Sequence, residues 1–127
     1  MTQFTAITLP DSTPTDKNFA VGNINYGQNL ATWILSGASY DASTLLSLSF
    51  KPASSNVART KVRARLVLPI MDAVNTTKKV DEIILEVSAS IPKTATLQQR
   101  KDARVFLRGL QSQSVWTNAI DSFEGVY

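Results

Sequence analysis

The chain has 127 residues and a formal net charge of +3, from 13 Lys and Arg against 10 Asp and Glu, and it contains neither cysteine nor histidine. Those two absences exclude disulfides, thiolate or imidazole metal sites, cysteine nucleophiles and any Ser-His-Asp triad. The acids are scattered, with no pair placed for shared acid–base chemistry, so neither catalysis nor a cofactor is expected. A chain of this length reads as one domain able to bury roughly two thirds of its unfolded surface. It lacks a long apolar run, and MTQFTAITLP lacks the basic and apolar segments of a secretory signal, so a soluble chain with no membrane partner is expected.

Charge is unevenly placed. Lys17 is the one basic residue in the first fifty, against Asp11, Asp16 and Asp41, whereas from Lys51 to Arg65 five basic residues occur with no acid. A local field of that sign favours a polyanion.

In chain order, Phe4, Ile7 and Leu9 suggest a first short strand, broken by the turn-forming run Pro10, Asp11, Ser12, Thr13 and Pro14. KNFAVGNINYGQ reads as a second strand through Phe19 and Val21 with a Gly and Asn turn, and NLATWIL around Trp33 as a third. In LLSLSFK, Leu46, Leu48 and Phe50 alternate with Ser47, Ser49 and Lys51, the period of a half-buried antiparallel strand. PASSNVAR supplies a loop. TKVRARLVLPI then sets Lys61, Arg63 and Arg65 on one face and Val62, Ala64, Leu66 and Leu68 on the other. After MDAVNTTKK, a further strand carries Ile83, Leu85, Val87, Ala89 and Ile91 on one face and Glu82, Ile84, Glu86, Ser88 and Ser90 on the other.

The period then changes to that of a helix. Ala103, Phe106, Leu107 and Leu110 form one apolar face of a helix of about four turns, with Thr96 as candidate N-cap; Gly109 costs that helix about 1 kcal/mol or helps to end it. Trp116, Ala119, Ile120 and Phe123 make the stripe of a second helix. The expected fold class is α+β: an antiparallel meander of about six strands over residues 1–92, then two C-terminal α-helices over 93–127, in one domain. Two short helices cover only part of one sheet face, so a partner subunit is expected to supply the rest.

The order of these pieces resembles the coat proteins of the small single-stranded RNA bacteriophages, the leviviruses. FTAITLPDS is similar to the family's first strand and turn, and NLATWIL carries its strand tryptophan. SLSFKPASS with TKVRARLVLP resembles its central hairpin, and DARVFLRGLQSQSVWTNAIDSFEGVY its two helices and terminal aromatic. The resemblance implies an intertwined homodimer with one continuous sheet, and higher-order assembly into an icosahedral capsid. It further implies a virion location after assembly in the bacterial cytoplasm. The inner sheet face would bind a hairpin of the single-stranded genomic RNA, for translational repression of the replicase and for packaging.

Parity alone places Ser47, Ser49, Lys51, Lys61, Arg63 and Arg65 on one polar face, and the resemblance makes this the RNA-contacting face. Lys51, Lys61 and Arg65 have the character expected for phosphate or base-edge contacts. Ser47 and Ser49 would offer hydroxyls to a splayed base, and Arg59, at the end of the turn, could reach a phosphate. Two positions depart from the family. Ile84 stands where a base-stacking tyrosine is common, losing a contact worth about 1–3 kcal/mol per base, and Glu86 replaces a polar Asn with a charge that opposes phosphate.

The plain alternative for Lys61, Arg63 and Arg65 is the solvated face of an antiparallel strand. Trp33 and Trp116 read as core or interface anchors rather than stacking platforms. In MDAVNTTKK, Lys78 and Lys79 meet either RNA or water. A non-assembling single-strand nucleic-acid-binding module is the rival function, but it would usually interleave aromatics with the basic residues, and this face has none.

Overall fold

The computed structural model describes residues 4–37 and 39–125. Two compact units divide the chain, residues 1–90 and 91–127. Six strands, β1 (Ile7–Pro10), β2 (Asp16–Asn25), β3 (Leu30–Leu35), β4 (Thr44–Lys51), β5 (Arg59–Met71) and β6 (Lys79–Pro92), lie side by side in chain order. Two helices follow, α1 (Leu97–Gln111) and α2 (Ser114–Asp121). Every connection is short because each strand pairs with the one before it, as a meander requires.

The first hairpin is held by Asp11. Its Oδ1 accepts from the Thr13 hydroxyl, from the Thr13 amide at 2.9 Å and from the Thr15 amide at 2.8 Å, while the Asp11 amide donates to the Thr15 carbonyl at 2.9 Å, so side chain and backbone close the turn together. Pro10 ends β1 rather than breaking it, since it is the strand's last residue, where a missing N–H costs no ladder bond. Phe4 lies outside β1, yet its ring meets the Trp33 indole edge-on, with centroids 5.2 Å apart at 68°. The Trp33 Nε1–H donates to the Thr5 carbonyl at 2.8 Å, so the indole is enclosed with its polar atom satisfied. Phe19 and Trp33, 5% and 7% exposed, are the buried large hydrophobics of the described residues.

Between Val21 and Asn23 the β2–β3 register slips by one residue. Gly22 permits this bulge, because a Cβ there would lie 2.6 Å from the Thr32 carbonyl oxygen. Asn29 closes the β2–β3 turn at φ 50°, the left-handed region that Asn tolerates, and its carbonyl accepts from the Phe50 amide at 3.0 Å.

The β4–β5 register fixes the two faces of the sheet. Ser47 lies opposite Arg65, Ser49 opposite Arg63 and Lys51 opposite Lys61, while Leu46, Leu48 and Phe50 lie opposite Leu66, Ala64 and Val62. On the other side of β4, Thr32 faces Ser47 and Trp33 faces Leu46, so β3 continues both faces. Arg59 meets Ser90 and Arg63 meets Glu86, so numbers fall along β6 as they rise along β5, as in an antiparallel pair.

In the second unit, Thr96 makes the anticipated N-cap as part of a capping box. Its Oγ1 accepts from the Gln99 amide at 3.2 Å, and the Gln99 Oε1 accepts from the Thr96 amide at 2.9 Å. Gly109 lies inside α1, and its carbonyl accepts from Ser112, whose hydroxyl and amide close the helix. Phe123 falls beyond α2 at φ 55°, so it is not part of the helical stripe as its spacing suggests. No helix among the described residues is long and apolar enough to cross a membrane.

The apolar stripes find little cover within the single chain. Ile83, Leu85 and Val87 on β6, Phe106, Leu107 and Leu110 on α1, and Trp116 and Ile120 on α2 are all exposed. Helices this short derive most of their stability from burying such a stripe.

The Asp11 turn is expected to respond to acid. Its carboxyl is held at about 2, below the ordinary aspartate value, chiefly by the Thr13 hydroxyl and then by the Thr15 and Thr13 amides. A carboxyl lowered in the folded state stabilises the turn fully above its unfolded value, and that contribution fades as pH falls towards 2. Amide resonances of Thr13 and Thr15 should therefore titrate together in this window, and Asp11→Ala should abolish the transition.

Candidate nucleic-acid interface

The polar face of β4, β5 and β6 gathers every residue anticipated from the sequence. Ser47, Ser49, Lys51, Lys61, Arg63 and Arg65 share it through the β4–β5 register, and Glu86 joins them by touching both arginines. Ile84, two residues before Glu86 on the same strand, points the same way and is exposed. Arg59 lies at the start of β5, on the parity of Lys61 and Arg63.

The cations on this face are in three different states. Arg59 is committed to β6: its Nε donates to the Ser90 hydroxyl at 2.7 Å and its Nη2 to the Ser90 carbonyl at 3.0 Å. This arginine therefore fastens the end of the hairpin to its neighbour, a role its position after the turn did not reveal.

Arg63 and Arg65 share one carboxylate. The Arg63 Nη2 donates to Glu86 Oε1 at 2.5 Å, and the Arg65 Nε lies 3.4 Å from the same oxygen without hydrogen-bond alignment. The three side chains are 56%, 43% and 40% exposed for Arg63, Arg65 and Glu86, so water screens the cluster and each pair contributes only about 0–1 kcal/mol.

Lys51 and Lys61 are different again. They stand directly across from each other on adjacent strands, both exposed, and among the described residues neither belongs to an ion pair. Like charges directly opposite are destabilising, by up to about 1 kcal/mol relative to an opposite-charge pair. The fold gains nothing from this placement.

Several residues extend the face beyond what one strand's alternation could show. Thr32 lies opposite Ser47, Asn23 opposite Thr32 and Asn25 opposite Leu30, which adds polar groups from β2 and β3. The signal for them is cross-strand register, which no single segment carries. Beside Ser49 and Lys51 the surface sinks into a cavity of about 460 Å³ lined by Gly27, Gln28, Asn29 and Leu30. Lys78 and Lys79 lie at the β5–β6 connection, where Lys79 pairs with Glu82 at 3.1 Å and the Lys78 carbonyl accepts from the Asp72 amide at 2.8 Å. No cluster of three or more metal-ligating side chains occurs among the described residues.

If the Lys51–Lys61 pair is a cost to folding, then Lys61→Glu, which puts a carboxylate opposite Lys51, should raise stability by about 0.2–1 kcal/mol. Denaturant unfolding of the two proteins measures this directly.

The whole arrangement has known counterparts. The profile of the levivirus coat protein family matches residues 2–127. The virus-like particle of bacteriophage NT-214 has a subunit 25% identical to this chain, with a TM-score of 0.87 over 99% of this chain and 100% of that one. The capsid protein of bacteriophage GA aligns with a TM-score of 0.75 at 17% identity, covering 98% of each chain. An unassembled virus coat protein dimer, described as a bacteriophage RNA-binding dimer, gives 0.70 at 17% identity, again over 98% of each. No curated protein sequence matches. With a meander of six strands followed by two helices, a basic sheet face and a family match over nearly its whole length, the chain belongs to the levivirus coat proteins, a structural rather than an enzymatic family.

Proposed function

We propose that this chain acts as a single coat domain that pairs into an intertwined homodimer. Many such dimers close an icosahedral shell around single-stranded RNA, with the polar sheet face turned to the nucleic acid. That face binds a hairpin of the genome, which represses translation of the replicase and selects the genome for packaging. Before assembly the subunit resides in the host cytoplasm.

The observation that carries the RNA reading is the Lys51–Lys61 pair. Two exposed cations stand opposite each other with no carboxylate partner among the described residues, at a cost to folding, on a face rich in hydroxyl and amide groups. A phosphate between them converts that repulsion into two attractive contacts. Ser47, Ser49 and Thr32 then offer hydroxyls to the bases, and the cavity by Asn29 and Leu30 gives an unstacked base a concave seat. Arg59, Arg63, Arg65, Ile84 and Glu86 complete the face. Ile84 can cover a base only by apolar contact, so the hairpin it favours differs from one that needs a stacked tyrosine.

Assembly is supported by what the single chain leaves bare. β6 is the last strand in the sheet order, fourteen residues long, so its outer edge is a template for a second copy. The exposed stripes of α1, α2 and β6 are apolar surface of the kind that obligate dimers bury. On the apolar sheet face, a hollow of about 270 Å³ lined by Ile24, Ala31, Trp33, Leu48 and Phe50 is suited to a partner's helix stripe.

Lys51→Ala and Lys61→Ala should each weaken single-stranded RNA binding and flatten the salt dependence of the logarithm of affinity by about 0.7 per phosphate lost. Unchanged affinity and slope would remove the face from consideration. Electron microscopy of the purified protein should show uniform closed particles, whereas small soluble species alone would favour a non-assembling RNA-binding module.

A further inference from the structure

We propose that Glu86 is a built-in competitor of the RNA backbone. Its carboxylate occupies the guanidiniums of Arg63 and Arg65, so phosphates are taken first by Lys51 and Lys61 and reach the arginines only by displacing it. This inference rests on the RNA-binding reading above and concerns how that face tells one RNA from another.

The geometry divides one basic row into a free half and an occupied half. Lys51 and Lys61 have no anionic partner among the described residues, whereas Arg63 and Arg65 converge on a single oxygen, Glu86 Oε1. A guanidinium binds carboxylate and phosphate through the same planar fork of donors, so the two anions compete for one position. The contact is also easily opened. All three side chains are partly solvated, and the Arg65 Nε, itself buried, lies near its partner without a formed hydrogen bond, so Arg65 is held by charge alone.

The consequence is discrimination. Any RNA can place a phosphate between the lysines, because that contact carries no sequence information. Opening the arginine cluster requires an RNA that gains something more, from base contacts at Ser47, Ser49 or Ile84. A carboxylate that weakens every RNA a little, and is displaced only by one that fits, lowers non-specific binding more than specific binding. It also acts against phosphates without removing the arginines, which stay in place for the RNA that reaches them.

The test is Glu86→Gln, which keeps the side-chain shape and an acceptor oxygen while removing the charge. Binding of a labelled oligouridine to the full-length protein, followed by fluorescence anisotropy across a salt series, should tighten by about two- to fivefold, as expected for releasing ion pairs of this exposure. The salt slope should steepen by about 0.7 for each arginine that gains a phosphate. Adding Arg63→Ala to Glu86→Gln should remove the share of both changes that Arg63 carries, and adding Arg65→Ala as well should abolish the rest. Oligouridine binding that is unchanged or weakened by Glu86→Gln, while Lys51→Ala and Lys61→Ala still weaken it, overturns the competitor role and leaves the RNA-binding face standing. Binding indifferent to both lysines as well as to Glu86 overturns the two readings together.

Discussion

Everything that distinguishes this sheet depends on the register between β4 and β5. Because side chains alternate, a slip of one residue would turn Lys61, Arg63 and Arg65 to the apolar side and bring Val62, Ala64 and Leu66 out beside the serines. The register is set by the facing apolar rows, Leu46, Leu48 and Phe50 against Leu66, Ala64 and Val62, and the polar pairs follow from it. Packing on the apolar face therefore sets position 51 opposite position 61 but does not require lysine at either. The sheet bears the repulsion of the two lysines, up to about 1 kcal/mol, because that is less than the loss of an apolar row would cost.

The same economy explains the neighbouring strand. β6 answers the arginines of the basic row with Glu86, placed between Arg63 and Arg65, and with Ser90, which takes both donors of Arg59. These contacts tie β6 to β5 along the polar side, while its apolar side carries Ile83, Leu85 and Val87 uncovered. A strand fastened on one face and bare on the other is suited to a subunit whose remaining cover comes from a second copy. Phe19 and Trp33 are the buried large hydrophobics of the described residues, a small core for a chain of 127 residues.

Membership of the levivirus coat proteins gives these features a common setting. The NT-214, GA and RNA-binding-dimer subunits share only 17–25% of their residues with this chain while TM-scores run from 0.70 to 0.87, so the backbone path is kept as the side chains change. What varies is then a matter of which charges face which. In this chain the polar face carries more arginine than it can leave free, and a glutamate where it could have carried a neutral amide.

The sequence by itself determined the strand order, the two helices, the Thr96 cap and the side of each strand on which the charges lie, because periodicities of two and 3.6 are local properties of the chain. It also placed Ser47, Ser49, Lys51, Lys61, Arg63 and Arg65 on one face, since parity needs no neighbour. It misplaced Phe4 and Phe123, whose apolar character is shared by strand, helix and loop residues alike. Only the tertiary structure decided which cations are free. Arg59, Arg63 and Arg65 look alike on the strand, and their separate fates depend on Ser90 and Glu86, which reach them across a hydrogen-bonded strand from more than twenty residues away. Cross-strand contacts arise from register, and register belongs to the pair of strands rather than to either one.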